Sequence, residues 1–566
     1  MSTPKILKVC KTNMKISILD PAKPAQWTTV KWKLVEKRVV RLQHRISMAA
    51  LEGNNRKVRN LQRLIVRSLS GRLKAVRQVA QENQGKRTAG IDGVTWTTPD
   101  EKFQAAHDLR KKTKTIPLKR LFISKKDGST RPLGIPTLND RAKQAIWNLA
   151  VLPAVDCKSD SFSYGFRPYR STWDCFAQIR VTLGKRDSVK WVIDADISKM
   201  FDSIDHNWLI QHTPMEKSIL KSWLKSGFFA GNEFNPTEMG TPQGGIISPT
   251  LANLTLNGLE TFLNKRFPVG RRLTTEGKRT GYHRTGIHLI RYADDFLVTG
   301  RSARQLKRVQ AAIQEFLSIR GLKLHECKTR IVSTTDGFNF LGWHFRKHGS
   351  HLIGKVSKES IRSHMDKIKT IIKSNMSVPA MIRSLNSQIS GWTNYHRCTD
   401  NLWLTWGKMN KYLYSCLWKW ACRRHGMKSK TWVFQNYWSK KENRWAFQSS
   451  PYTLQAYSAR KARIRRLAAS VNVFDLRNKE IIEKTWFLKH LDKLDGVRKA
   501  LWKKQKGICC TCHSSLDPDQ SGYVDMHHIT PLHKGGSNSL KNLVLVHEHC
   551  HYSIHQLDSQ KSVNKT

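Results

Sequence analysis

Two short apolar runs meet at a pair of adjacent carboxylates in residues 289–298, which read LIRYADDFLV. The β-forming residues on either side of Asp294 and Asp295 predict a β-hairpin that carries both acids at its turn. Adjacent carboxylates repel each other unless cations bridge them, and a pair of Mg²⁺ ions in such a site supports in-line phosphoryl transfer. The alternative is that aspartate simply favours turns. Further motifs along the chain favour the metal site.

The chain carries a large excess of positive charge. Its 566 residues include 99 lysines and arginines against 42 aspartates and glutamates, which gives a formal net charge of +57. Such a surplus repels itself without a polyanion, so nucleic acid is the expected partner, contacted at many phosphates. A basic protein of ribosomal or chromatin type is the alternative, but the 19 tryptophans indicate large folded surfaces.

Cysteine usage and the absence of apolar segments indicate the compartment. Of the 11 cysteines, four lie after residue 508 and indicate a metal site, whereas the others are scattered singly, as is typical of a reducing compartment. There is no run of about 18 apolar residues, and residues 1–20 lack the apolar segment of a secretory signal. We therefore expect a cytoplasmic protein of a bacterial-type host with no membrane partner, and an organellar location is the alternative.

A second acidic segment precedes the hairpin. Residues 191–197 form an apolar strand on which Asp194 and Asp196 share one face, where burial requires a charged partner or a metal. Downstream, residues 240–249 read GTPQGGIISP and place glycines where the backbone must approach a neighbour closely. The apolar spacing of residues 251–263 predicts one helix.

Basic side chains follow the predicted helices and hairpins. Residues 31–50 and 58–76 have the periodicity of two amphipathic helices, and residues 121–136 predict a hairpin with a basic tip that suits a triphosphate. The polar face of the second helix is expected to lie along a phosphate backbone, with a solvated face as the alternative. Its basic residues are Arg56, Lys57, Arg59, Arg63, Arg67, Arg72, Lys74 and Arg77.

An ordered set of motifs spans residues 85–345. It comprises Asp196 with Phe201, QGG at 243–245 followed by SP at 248–249, YADD at 292–295, RPLGIP at 131–136, SYGFRP at 163–168, KT at 328–329 and FLGW at 340–343. This set resembles the reverse transcriptases encoded within group II introns.

The resemblance implies a metal-dependent polymerase site. Asp196, Asp294 and Asp295 are implied to hold two Mg²⁺ ions, and Asp194 remains the alternative to Asp196 because strand alternation does not separate them. Phe201 is implied to lie beneath the incoming sugar and to exclude a 2′-hydroxyl, with an ordinary core position as the alternative.

Contacts to the incoming deoxynucleoside triphosphate follow from the same resemblance, and Lys328 is implied to lie near the primer strand. At Ser124 the chain departs from the proline that the family usually has, which loosens the fingertip hairpin and weakens the assignment of the lysine after it. The implied triphosphate contacts are Lys125, Arg131, Gln243 and Gly244.

The next part of the chain predicts helices rich in tryptophan. The spacing of apolar residues over 361–372 and 382–389 predicts a helical thumb. Eight tryptophans between residues 392 and 445 are expected either to stack on RNA or to pack helices together. Residues 390–438 resemble the maturase region that binds intron RNA. The basic segment from residue 460 to 506 resembles the family's DNA-binding linker, with a solvated helix face as the alternative.

Two pairs of candidate metal ligands with two intervening residues lie near the C-terminus. A tetrahedral zinc site with three cysteines and one histidine fits this spacing and would stabilise a segment too small for a large core. Cys510 and His549 are rival ligands one residue away. The expected ligands are Cys509, Cys512, His547 and Cys550.

The residues between these pairs resemble the His-Asn-His (HNH) nuclease motif. The similarity implies that His528 is the general base and that Asn542 fixes the loop that carries it. Mg²⁺ is the expected nuclease metal, and a purely structural zinc domain is the alternative. The implied metal ligands are His527, His551 and His555.

These features predict an α+β multidomain protein, with a right-hand polymerase of fingers, palm and helical thumb and a C-terminal ββα-metal HNH domain. The expected boundaries are residues 1–84 for a basic helical extension, 85–350 for fingers and palm, 351–455 for the thumb and maturase region, 456–506 for the DNA-binding linker and 507–566 for the HNH endonuclease with its zinc site.

The expected protein assists splicing of its group II intron RNA as a ribonucleoprotein, nicks target DNA and copies the RNA from the nicked 3′ end with deoxynucleoside triphosphates. A homodimer is left open. One alternative is a non-enzymatic splicing factor whose polymerase has decayed, which the intact Asp196, Asp294 and Asp295 argue against. The other is a reverse transcriptase used for defence or diversification, which the maturase-like and HNH segments argue against.

Overall fold

A computed structural model describes residues 26–563, apart from residues 112, 125–127, 129, 232, 242–243, 269, 274–278, 284, 442–443, 493, 495 and 517–523. No helix among the described residues has the length and apolar character needed to cross a lipid bilayer. The N-terminal unit consists of four helices: α1 (Trp32–Leu51), α2 (Asn55–Arg67), α3 (Leu69–Arg77) and α4 (Pro99–Asp108).

The first predicted N-terminal helix is confirmed, but the second is wrong as one element because it breaks into α2 and α3 at Ser68. The Ser68 hydroxyl accepts a hydrogen bond from the Gly71 backbone N–H at 3.0 Å and so caps α3. A Cβ atom at Gly71 would lie 2.3 Å from the carbonyl oxygen of Ile65, so the bend requires glycine there.

Fingers and palm follow. Their first elements are β1 (Leu118–Ser124), β2 (Thr130–Ile135), α5 (Leu138–Asp156), α6 (Thr172–Leu183), β3 (Trp191–Ala195), α7 (Met200–Ser203), α8 (His206–His212), α9 (Lys217–Leu224), β4 (Phe228–Ala230), β5 (Glu233–Asn235), α10 (Ser248–Leu256) and α11 (Leu259–Arg266). The remaining ones are β6 (Gly270–Leu273), β7 (Arg279–His283), β8 (Leu289–Tyr292), β9 (Asp295–Gly300), α12 (Ala303–Ser318), β10 (Arg330–Ser333), β11 (Phe338–Phe340), β12 (Trp343–His348) and β13 (His351–Val356).

Two four-stranded sheets organise this region. The fingers sheet has the order β2-β1-β4-β5, and the palm sheet has the antiparallel order β10-β3-β9-β8. One hydrophobic core joins the N-terminal helices, α5 and the palm sheet through residues such as Val35, Ile146 and Val298. The palm sheet and the N-terminal helices therefore share one hydrophobic core.

The predicted hairpins and the strand at residues 191–197 are confirmed as β1–β2, β8–β9 and β3. The single helix predicted over residues 251–263 is wrong. It is interrupted after Leu256, because Gly258 adopts a left-handed conformation with φ of 90° and begins α11 in a new direction.

The thumb and maturase region has its own core. Its elements are α13 (Lys358–Lys373), α14 (Val378–His396), α15 (Leu402–Arg424), α16 (Lys430–Tyr437), β14 (Trp438–Lys441), β15 (Arg444–Ser449) and β16 (Tyr452–Thr453). The two predicted thumb helices are confirmed as α13 and α14, and Ile368, Leu385 and Met409 bury their side chains between them and α15.

The C-terminal part contains α17 (Lys479–Leu491), α18 (Gly496–Gln505), β17 (Val524–His528), β18 (Leu543–His547) and α19 (Glu548–Val563). β17 and β18 pair in antiparallel register, with His528 opposite Leu543. A small core around Trp502 and Leu545 joins α18 to this ββα unit. The predicted α+β multidomain architecture is confirmed.

Candidate active sites

The palm sheet brings the acidic strand and the acidic hairpin side by side. Ala195 of β3 pairs with Phe296 of β9, so Asp196 emerges next to the turn that carries Asp294 and Asp295. Asp196, Asp294 and Asp295 interact electrostatically with one another. The two segments predicted to share a metal site therefore converge at one end of the sheet.

The electrostatics of this cluster are those of crowded acids. Burial, then repulsion from Asp294, Asp196 and Asp194, raises the pKa of Asp295 to about 7. Burial also raises the pKa of Asp294, and Arg131 and Lys328 oppose that shift. Each shift reflects negative charge that lacks full compensation, so a divalent cation fits the donor set.

The side chain of Lys328 forms an ion pair with Asp196. Its Nζ donates to Asp196 Oδ2 at 2.6 Å, and this hydrogen bond is the main cause of the raised pKa of Lys328. Asp194 lies deeper. Burial raises its pKa to about 6, and Arg330, whose strand pairs with β3, opposes that rise. Asp194 belongs to the same electrostatic cluster and remains the alternative to Asp196.

The predicted substrate contacts are distributed around the acids. Arg131 is exposed near the tip of β2 and acts electrostatically on Asp294. Gly244 has a φ of 113°, and a Cβ atom there would lie 2.7 Å from the Gly134 carbonyl oxygen, so only glycine fits against the fingers strand. The predicted contacts outside the described residues are Lys125 and Gln243.

Phe201 lies in α7, half-buried at the edge of the palm core. Its carbonyl oxygen accepts a hydrogen bond from the Thr241 backbone N–H at 2.5 Å. A Cβ atom at Gly240 would lie 2.5 Å from the same oxygen, so glycine is required where the loop packs against the Phe201 backbone. The glycine-rich loop and Phe201 are therefore held together.

The zinc-type cluster has the predicted composition. The ligand atoms of its four residues lie within 4.8 Å of one another: Cys509, Cys512, His547 and Cys550. His547 Nε2 is 2.9 Å from the Ser515 carbonyl oxygen, so donation there leaves Nδ1 facing the thiols at 3.4 Å from Cys512 Sγ. Hydrogen bonds from Cys512 and Cys550 lower the pKa of the Cys509 thiol, which favours the thiolate that metals bind.

The rival ligands lie outside this group of four, although His549 hydrogen-bonds to Cys512. Cys510 is exposed and contacts the Thr511 hydroxyl, and the His549 ring stacks on that of His547 with 5.0 Å between centroids. The cluster also touches the N-terminal unit, because Arg77 Nη2 donates to Cys512 Sγ at 3.5 Å. The donor set fits a tetrahedral metal with soft ligands.

The HNH histidines form a second cluster. Ligand atoms of His527, His551 and His555 lie within 4.8 Å of one another. Sequence reasoning missed Asp525, whose Oδ2 lies 3.1 Å from His551 Nδ1 and leaves His551 Nε2 for a metal. Its position two residues before His527 on β17 places it on the same strand face, a signal that alternation offered.

His528 and its loop are held by two asparagines. His528 Nε2 lies 2.8 Å from Asn538 Oδ1, a partner that sequence reasoning also missed. Asn542 accepts from the Thr530 backbone N–H at 2.8 Å and donates to the Thr530 carbonyl oxygen at 2.9 Å. The predicted role of Asn542, to fix the loop after His528, agrees with these bonds.

The basic face predicted on the second N-terminal helix divides in two. Arg56, Arg59 and Arg63 of α2 are exposed, as predicted for a phosphate-binding face. The prediction is wrong for Arg72 and Arg77, which are buried in α3. Arg72 Nη1 donates to the Ala106 and His107 carbonyl oxygens, and Arg77 lies over the Trp32 ring, because α3 packs between α1 and α4.

Most tryptophans of the maturase region are packing residues. Trp406 and Trp438 are buried in its core, whereas Trp403 and Trp445 keep 73% and 60% of their surface exposed. These two rings, with the half-exposed Trp432, are the ones available for stacking on bases.

The basic run at residues 460–466 forms neither helix nor strand, so the solvated-helix alternative is wrong for it. Lys461 forms an ion pair with Asp400, and Arg465 Nε lies 2.7 Å from Asp492 Oδ2. Arg460 and Arg463 are exposed. Some basic residues of the run therefore anchor the segment, and others face solvent.

Four parts of the chain match described families. Residues 27–109 match the N-terminal domain of reverse transcriptase, residues 123–345 the reverse transcriptase (RNA-dependent DNA polymerase), residues 361–438 the group II intron maturase-specific domain and residues 509–557 the HNH endonuclease. The chain therefore combines reverse transcriptase, group II intron maturase and HNH endonuclease domains. It carries the domains of two enzymes, a reverse transcriptase and an HNH endonuclease, and its maturase domain implies intron RNA as a partner.

Curated relatives agree with these domain matches. The chain is 29% identical over 296 residues to protein YkfC of Escherichia coli K12, which covers 47% of this chain and 77% of that protein. It is 27% identical over 404 residues to the group II intron-encoded protein LtrA of Lactococcus lactis subsp. cremoris, covering 56% of this chain and 66% of LtrA. The match to a solved telomerase from Candida albicans has a TM-score of 0.32 at 11% identity and covers 56% of this chain and 64% of that chain.

Proposed function

We propose that this chain binds its group II intron RNA, promotes splicing, nicks target DNA with the HNH site and copies the RNA from the nicked 3′ end. The observation that carries the proposal is the convergence of Asp196 with Asp294 and Asp295 at one end of the palm sheet. A decayed polymerase would have no need to keep three repelling carboxylates together, since each costs stability when ionised.

In the proposed polymerase site, Asp196, Asp294 and Asp295 hold Mg²⁺, which when bound activates the primer 3′-hydroxyl and neutralises phosphate charge. Arg131 binds the triphosphate from the fingers, and Lys328 exchanges its ion pair with Asp196 for a contact to the nucleic acid backbone. Phe201 closes the sugar pocket from below and excludes a 2′-hydroxyl by its bulk.

In the proposed nuclease site, His528 removes a proton from the attacking water. Its Nε2–H donates to Asn538, which leaves the Nδ1 lone pair to accept that proton. Asp525 orients His551, and the cluster of His527, His551 and His555 holds Mg²⁺ near the scissile phosphate, where the ion supplies charge stabilisation. Zn²⁺ is the metal that we propose for the Cys₃His cluster, in a structural role.

RNA is proposed to bind across the exposed face of α2 and the exposed tryptophans of the maturase region, and target DNA along Arg460 and Arg463. Deoxynucleoside triphosphates are the polymerase substrates. We further propose that the reaction occurs in the cytoplasm of a bacterial-type host or in an organelle, and that a homodimer is compatible with this scheme.

The test uses the full chain and its cognate intron RNA. Purified protein is expected to accelerate splicing and to extend a primer on the same RNA. Splicing without extension would replace the proposal with the decayed-polymerase alternative, and extension without splicing or nicking would favour the defence-type alternative.

A further inference from the structure

A fully buried arginine lies within β8, close in sequence to the palm acids. Arg291 has a relative exposure of 0% and precedes Asp294 by three residues. Burial lowers its pKa to about 10, and the nearby Asp160 favours the charged form. A buried guanidinium costs stability unless hydrogen bonds and charges satisfy it, so its retention requires a reason.

Its partners lie on the helix that follows the glycine-rich loop. Arg291 Nη1 donates to Asn253 Oδ1 at 3.1 Å, and Nη2 donates to Asn257 Oδ1 at 3.0 Å. Asn253 lies within α10, and Asn257 caps its end. Because α10 begins at Ser248, directly after the loop that contains Gly244, the guanidinium joins that loop to β8.

The same guanidinium supports the acidic turn. Arg291 Nη1 reaches the Ala293 carbonyl oxygen at 3.5 Å. Ala293 has a φ of 58°, a left-handed conformation that is unfavourable for a residue with a side chain. Such a turn persists only where its surroundings hold it.

A second contact supports the turn, and it involves the same asparagine, Asn253. A Cβ atom at Gly165 would lie 2.3 Å from the Ala293 nitrogen, so the Gly165 backbone lies directly against the turn. Asn253 Nδ2 donates to the Gly165 carbonyl oxygen at 2.8 Å. One side chain of α10 therefore fixes both supports of the turn.

We propose that Arg291 is a positioning residue for DNA synthesis. It holds the turn in the position in which Asp294 and Asp295 can bind divalent cations together with Asp196. This proposal rests on the proposed reverse transcriptase activity. Arg291 does not touch substrate; it acts through the Ala293 carbonyl and through α10. Loss of the guanidinium should weaken metal binding at the palm before it weakens RNA binding.

The test compares Arg291→Met and Arg291→Lys with Arg72→Met. Arg72 is a matched control because it is also a buried arginine with a pKa lowered by burial, and its guanidinium donates to the Ala106 and His107 carbonyl oxygens of α4, away from α10. Lysine retains the charge but cannot reach both asparagines, so it should restore only part of the effect.

The experiment uses a dideoxy-terminated primer annealed to RNA, so that the next deoxynucleoside triphosphate can bind but cannot be incorporated. The measured quantity is the Mg²⁺ concentration at which half of the protein forms a stable complex with primer, RNA and nucleotide. Loss of charged hydrogen bonds predicts that Arg291→Met raises this concentration by about tenfold to a hundredfold, with intron RNA affinity unchanged. Asn253→Ala should shift it in the same direction.

An unchanged Mg²⁺ midpoint in the Arg291 variants, or an equal shift in Arg72→Met, would overturn the positioning role. If Arg291→Met does not fold, Arg291→Lys and Asn253→Ala decide by the same measurement. Failure of the wild-type chain to form the complex at any Mg²⁺ concentration would instead refute the proposed polymerase function, so the two failures are distinguishable.

Discussion

The ion pair between Lys489 and Asp174 connects the proposed DNA-binding segment to the fingers and palm. Lys489 Nζ lies 2.8 Å from Asp174 Oδ2, and the side chains keep only 8% and 1% of their surfaces exposed. The same carboxylate oxygen accepts from the backbone N–H of Ser171 at 2.6 Å and so caps α6. One buried carboxylate therefore anchors two helices.

We expect Lys489→Met to detach α17. Removing one partner of a buried pair leaves an uncompensated charge, at a cost of about 3–5 kcal/mol. The bonds from Ser171 still compensate part of the charge of Asp174, so the lower end, about 3 kcal/mol, is the expected value. That energy corresponds to about a hundredfold rise in the open population of α17.

Hydrogen–deuterium exchange of the α17 amides in the full chain measures this opening. The matched control is Lys479→Met in the same helix, because Lys479 forms only an exposed pair with Glu483 at 3.7 Å, with 65% and 67% of the side chains exposed. Such pairs contribute less than about 0.5 kcal/mol. Equal protection of α17 in the two variants would refute the anchoring role of Lys489.

Three further predictions concern chemistry and binding. His528→Ala should abolish DNA nicking while primer extension continues, and undiminished nicking on a gel would reject the base assignment. The folded pKa of Asp295, about 7, exceeds its ordinary value of 3.8, so the stability this carboxyl contributes is complete below about pH 4 and is lost as pH rises through 7. Metal-free melting temperatures should therefore fall between about pH 4 and pH 7 and level off above pH 7, with a smaller fall in Asp295→Asn, and identical pH profiles would contradict this. Affinity for intron RNA should fall steeply with salt, and a flat dependence in filter binding would exclude phosphate-dominated contact.

Local patterns predicted the elements well where burial alternates or recurs at helical spacing. The strand before Asp196 and the hairpin around Asp294 follow from apolar runs of β-formers, and the thumb helices follow from spacing alone. The metal-ligand spacing at Cys509 and His547 also predicted which side chains meet. In each case the information lies within a few residues of the site.

The rest depends on contacts distant in sequence. Arg72 and Arg77 have the spacing of a solvated face, yet α4 and the zinc-type cluster cover them. Arg291 is indistinguishable in sequence from a surface cation because its partners lie on α10, 34 or more residues away. Strand alternation places Asp525 on the same face as His527, but many exposed acids have the same spacing, so alternation alone does not identify Asp525 as a partner of His551.

The most direct measurement of the central claim is primer extension on the intron RNA by the Asp294→Ala variant, with splicing by the same preparation as the control for folding. The account predicts that DNA synthesis is abolished while splicing is retained, because Asp294 contributes to the palm metal site and not to the RNA-binding surfaces. DNA synthesis at the wild-type rate would contradict the metal role of the acidic turn.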